Sequence, residues 1–116
     1  MNKTLEIGGR ELVLQSNAGT ALFYKRVFKK DIINAITKVQ DEDDLEVVDR
    51  ITELCFIMAK QGEGNGIDKM LALTEKDFFE WVCSFDSSAF MDANIVMQVI
   101  AVWQSSNNVT SELKNA

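Results

Sequence analysis

Four groups of residues in this 116-residue chain are of types that do chemistry in other proteins: two cysteines, a run of four carboxylates, three close glycines and four close cations. Cys55 and Cys83 each sit in an apolar helical pattern with no CxxC spacing, and the chain has no histidine to take a thiol proton. They read as buried thiols in a reducing cytoplasm, not as a nucleophile or a disulfide. The missing histidine also removes the usual base near neutral pH and the commonest metal ligand. Asp41, Glu42, Asp43 and Asp44 invite a calcium loop, yet counted from Asp41 the fifth position is Leu45, the turn glycine is replaced by Glu46 and the twelfth position is Thr52. The run has a structural use instead, because carboxylates ahead of a first helical turn complement the helix dipole. Gly62, Gly64 and Gly66 fit no phosphate cradle: Ile67 stands at the last position of GxGxxG, and no Gly-Lys-Ser/Thr follows. Lys25, Arg26, Lys29 and Lys30 could grip phosphates, but a net charge of −6 favours a solvated helix face. No catalytic, cofactor or metal site is expected, and the chain is not expected to be an enzyme.

The elements that carry these residues are mainly helical. A chain of this length is one domain by prior and buries about two thirds of its unfolded surface without a metal or disulfide. Residues 1–40 carry seven basic and three acidic groups, net +4, and the rest carry five and fifteen, net −10. That asymmetry permits head-to-tail attraction between copies or with a charged partner. No apolar leader and no run of eighteen apolar residues mark secretion or a membrane span.

In chain order, Leu5 and Ile7 alternate with polar residues up to Gly8-Gly9, and Leu12 and Leu14 return, which predicts a β-hairpin within residues 1–15. A helix is expected over 18–28, capped by Ser16 or Asn17, with Leu22, Phe23, Tyr24 and Val27 inward. Asp31 caps a short helix over 32–39, and another helix runs over 45–60, burying Val47 or Val48, Ile51, Leu54, Cys55 and Met58, with Phe56 on a flank. Residues 61–68 form a flexible break. Residues 70–73 form a helical turn, and Thr74 with Asp77 opens a helix carrying Phe78, Trp81, Val82 and Phe85 along one side, with Phe79 and Cys83 beside them. Residues 86–88 then turn the chain and cap residues 88–103, which are apolar on nearly every side. The chain is organised around this last stretch. Met91, Ile95, Val99, Val102 and Trp103 are expected to share its surplus apolar surface with another protein. The whole is an α+β, mainly α domain over 1–105, a hairpin and about four to five helices, with a mobile polar tail over 106–116.

The short strand pair LEIGGRELVL, the acidic helical middle, the TEKDFFEWV segment and the apolar helix ending IAVWQ before NNVTSELKNA together resemble the tail assembly chaperones of long-tailed bacteriophages and prophages of Gram-positive bacteria. The match is most specific at Trp103 and at the Thr110, Ser111 and Lys114 ending, although related tails often carry several lysines there. The resemblance implies a cytoplasmic protein of the infected host, absent from the mature virion, that holds the tape-measure protein and recruits tail-tube subunits. Tube binding would fall mainly to a longer frameshifted form, and homo-oligomers are compatible with it. Thr110, Ser111 and Lys114 join the candidate partner-binding residues on this ground. The rival readings are a minor tail or connector component of the virion and a small helical nucleic-acid-binding regulator.

Overall fold

The computed structural model of the chain describes residues 2–33 and 44–107. It contains β1 (Asn2–Ile7), β2 (Arg10–Gln15), α1 (Thr20–Phe28), α2 (Asp44–Gly62), α3 (Ile67–Leu71), α4 (Glu75–Val82) and α5 (Ala93–Asn107). Residues 34–39 of the helix expected over 32–39, most of the carboxylate run and the tail residues Thr110, Ser111 and Lys114 lie outside the described residues; at the start of that helix Asp31 Oδ1 accepts from the Ile33 N–H at 2.9 Å.

Gly8 and Gly9 lie at φ of 59° and 78°, the left-handed pair that a two-residue hairpin turn of type I′ demands. The turn sets an antiparallel register with Ile7 opposite Arg10, Leu5 opposite Leu12 and Lys3 opposite Leu14. Side chains alternate along a strand, so Leu5, Ile7, Leu12 and Leu14 share one face. Leu5, Ile7 and Leu14 are buried there. That face is covered by two helices: β2 packs on α2, and β1 meets α5.

The axis of the core is α2, whereas the sequence patterning singles out residues 88–103. Residues 51–59 are all buried, Thr52 and Glu53 included. α2 packs against β2, α1, α4 and α5. Phe56 stands at the centre of a chain of rings, 6.4 Å from Phe28, 5.5 Å from Phe78 and 5.4 Å from Trp81 between centroids. Trp81 extends the chain to Phe85 and Phe90 at 4.9 and 5.6 Å. Tilted and edge-on pairs at these spacings add to plain burial.

Near its end α2 runs so close to β2 that a Cβ on Gly62 would overlap the carbonyl oxygen of Val13. Gly62 is therefore a packing residue inside the helix, and the flexible break expected over 61–68 shrinks to residues 63–66. The neighbouring Gln61 is buried with both ends of its amide used: Oε1 accepts from the Thr20 hydroxyl at 2.7 Å, and Nε2 donates to Asn17 Oδ1 at 3.1 Å. These bonds tie the start of α1 to the end of α2.

α1 starts two residues later than expected, with Gly19 at the N-cap position and no side-chain cap. Asn17 instead accepts from the Gly19 N–H. Its inward face is Thr20, Tyr24, Val27 and Phe28. Leu22, expected inside, is 65% exposed, because at about 100° per residue it points nearly opposite Tyr24. α4 begins as its sequence predicts, with Thr74 and Asp77 forming a reciprocal capping box.

α5 is shorter than the 88–103 stretch and enters differently. Residues 83–92 turn the chain, and Asp92, not Ser87 or Ser88, stands at the helix start. Its carboxylate accepts from Asn94 N–H and its carbonyl oxygen from Val96 N–H. Cys55 is buried, whereas Cys83, also expected inside, is exposed just past the end of α4.

Candidate partner-binding groove

The proposed partner-binding residues of the last helix do not form one surface. Val99, Val102 and Trp103, expected to share apolar surface with another protein, are buried inside the chain's own core. Ile95 is half-buried against that core. Met91 is 63% exposed but precedes the helix. The exposed residues of α5 are Ala93, Asn94, Met97, Gln98, Ala101 and Gln104, a stripe at three- and four-residue steps. Counting Met97 and Ala101 as apolar hides that face. One side of α5 is covered, so its composition does not require a second polypeptide.

The open apolar surface lies elsewhere. A groove of about 790 Å³ runs between the first half of α2 and α4 with the turn that follows it. Val48, Thr52 and Glu53 line it from α2, and Phe78, Phe79 and Val82 from α4. Phe85, Phe90 and Met91 close it from the turn, with Cys83 at its edge. Phe78 and Phe90 are buried in its floor, while Phe79 is 57% exposed. The hairpin holds the turn in place: Arg10 Nη1 donates to Ser84 Oγ at 2.8 Å, and its guanidinium lies 4.1 Å from the centre of the Phe85 ring.

Phe78 and Phe79 are adjacent on a helix, about 100° apart, so they cannot both face one core. That pair is the sequence signal for the groove, and an all-core reading of the aromatic stripe misses it. The polar wall carries a second unforeseen feature. Glu53, buried on the inner side of α2, accepts from the Tyr24 hydroxyl at 2.7 Å and from Arg50 Nε at 2.8 Å, with Lys30 Nζ at 3.4 Å. Burial, reinforced by the hydrogen bond to the Glu53 carboxylate, raises the Tyr24 pKa far above its ordinary value. Burial alone pushes the Cys55 thiol up to about 12.

The basic stripe of α1 is only partly free. Lys30 is drawn to Glu53, and Lys29 donates to the Arg26 carbonyl oxygen at 2.9 Å. Lys25, Arg26 and Lys29 surround the exposed Leu22 in a shallow depression of about 430 Å³. Among the described residues no three His, Cys, Asp or Glu side chains gather to hold a metal ion, and no helix is long and apolar enough to cross a membrane. Compared with known proteins, the chain matches no family model, no curated protein and no solved structure.

Proposed function

We propose that the chain is a tail assembly chaperone of a long-tailed bacteriophage or prophage. In this reading it holds the tape-measure protein in the host cytoplasm, helps recruit tail-tube subunits and is left out of the finished virion. Its action is non-catalytic. The layout of hairpin, acidic middle, TEKDFFEWV segment and IAVWQ helix supports the family. The observation that carries the binding role is the open groove, with Phe79 and Met91 more than half exposed beside it. An apolar groove of that kind can shield one face of a long amphipathic helix, and repeated weak contacts along such a helix sum to avidity. A modest apolar area with a polar rim also suits a hold that must later be released.

The direct test is co-expression with the tape-measure protein of the phage or prophage that encodes this chain. The expected result is that the tape-measure protein becomes soluble and copurifies with this chain. A tape-measure protein that stays insoluble with and without it overturns the reading. Stoichiometric recovery of this chain from purified particles also overturns it, and establishes a virion component instead.

A further inference from the structure

We infer that the groove between α2 and α4 takes a helix of another protein whose apolar stripe is flanked by lysine or arginine, an inference that rests on the chaperone reading and adds the chemistry of the occupant. The floor calls for apolar cover, since Phe79 and Met91 stand exposed above the buried Phe78 and Phe90. A polar small molecule is a poor fit, because every buried side-chain nitrogen and oxygen among the described residues already has a hydrogen-bond partner. No residue of β1 or β2 lines the groove, so there is no strand edge for an extended peptide to join. A helix laid between helices is the remaining mode, with anchors at i, i+3 or i+4, and i+7.

Charge selects the flanks. The Glu53 carboxylate is answered by Arg50 at 2.8 Å and Lys30 at 3.4 Å. The lining then carries three carboxylates, Asp49, Glu53 and Asp86, against one guanidinium, Arg50, which Asp49 also attracts, and Asp49 and Asp86 are exposed. That surplus of negative charge beside an apolar floor attracts cations flanking an apolar stripe and disfavours acids there. Met91, with its flexible thioether side chain, can adjust to different anchors.

Cys83 at the groove edge supplies the measurement, since Cys55 is buried and its thiol is held protonated. The probes are two synthetic helical peptides of about 18 residues, or about 27 Å, with the same leucine stripe and either lysine or glutamate flanks. At several times its dissociation constant the lysine-flanked peptide should slow iodoacetamide alkylation of Cys83 about fivefold, and the glutamate-flanked peptide less than about twofold. Phe79→Ser should abolish the protection with its thermal melt unchanged, and Asp49→Lys with Asp86→Lys should reverse the preference between peptides. No protection by either peptide, equal protection by both, or protection that survives Phe79→Ser overturns the inference. So does Cys83 protection that grows with the chain's own concentration, which would make a second copy the occupant. Cys83 that reacts slowly at every concentration and is indifferent to peptide would mean the chain covers its own groove, and overturns it too. The two readings separate cleanly: if wild type and Phe79→Ser both solubilise the long tail protein, the groove assignment fails and the chaperone stands. If wild type does not solubilise it, the chaperone fails while the peptide result is judged independently.

Discussion

α2 and α5 invert what their compositions suggest. α5 is the more apolar stretch, yet it buries one side and turns Met97, 68% exposed, outward. α2 carries Asp49, Arg50, Thr52, Glu53, Lys60 and Gln61, yet residues 51–59 are buried all round. The difference is that the polar groups of α2 have partners. Thr52 donates to the Val48 carbonyl oxygen at 2.6 Å, Glu53 takes three donors, from α1, from α2 and from Lys30 just beyond α1, and Gln61 is matched at both ends. A buried polar group that is fully paired costs little, whereas an unpaired one costs about 1–3 kcal/mol. Position in the chain does the rest: a helix of nineteen residues in mid-sequence can be reached by a hairpin, by α1 before it and by two helices after it.

The largest effect expected from this contrast is at Phe56. Phe56→Ala removes a ring that touches three others and should cost about 4 kcal/mol, read as a lower urea midpoint by circular dichroism. A loss below about 1 kcal/mol would mean that α2 is not the centre of the core. Next comes the paired polar group. Glu53→Ala strands the Tyr24 hydroxyl and the Arg50 guanidinium and should cost about 3 kcal/mol; a neutral result would show that the polar residues of α2 are tolerated and not matched.

The same core gives stability an alkaline limit. Unfolded, the Cys55 thiol and Tyr24 phenol ionise near 9 and 10, while the fold keeps both protonated to higher pH. Above about pH 9 the unfolded chain therefore binds fewer protons than the native one, so stability is complete below that pH and falls as pH rises towards 12. Urea midpoints measured from pH 7 to 11 should decline only in the upper part of that range. Replacing Cys55 by Ala should reduce the slope, and an unchanged slope would show that the thiol is not sealed.

Much of this architecture is legible in the residues, and the reasons it stops being legible are specific. The hairpin follows from Gly8-Gly9 and a period of two, and α4 from Thr74 and Asp77, because those signals are local. The length of α2 follows from periodicity, but its centrality does not, since that depends on Glu53 and Gln61 meeting residues 29 and 41 positions away. Leu22 and Cys83 are misplaced for the same reason: composition says that they are apolar and tertiary contacts decide which way they face. Of the candidate binding residues, Met91 lies at the groove, whereas Val99, Val102 and Trp103 are buried in the core, and hydropathy alone does not separate the two cases. Phe79 is legible in sequence as half of an adjacent aromatic pair, a signal that needs two residues to be read against one helix angle.

The smallest expected change sharpens the comparison most, because it asks whether the outer side of α5 is finished surface. Val99→Ala, two residues along the same helix, deletes buried methyl groups and should cost about 2 kcal/mol. Met97→Ser touches nothing in the core and should shift stability by less than about 0.5 kcal/mol in either direction. Because Met97 belongs to the stripe with Asn94, Gln98, Ala101 and Gln104, its loss should also leave the chain monodisperse by light scattering and leave protection of Cys83 by the lysine-flanked peptide untouched. A drop near that of Val99→Ala would mean that the outer side of α5 is covered after all. The surplus apolar surface would then lie on both helices, and the inversion between α2 and α5 would be false. Unchanged stability with lost protection would place the partner across α5 as well as in the groove. Unchanged stability with retained protection confines binding to the groove, where the exposed aromatic residue is Phe79.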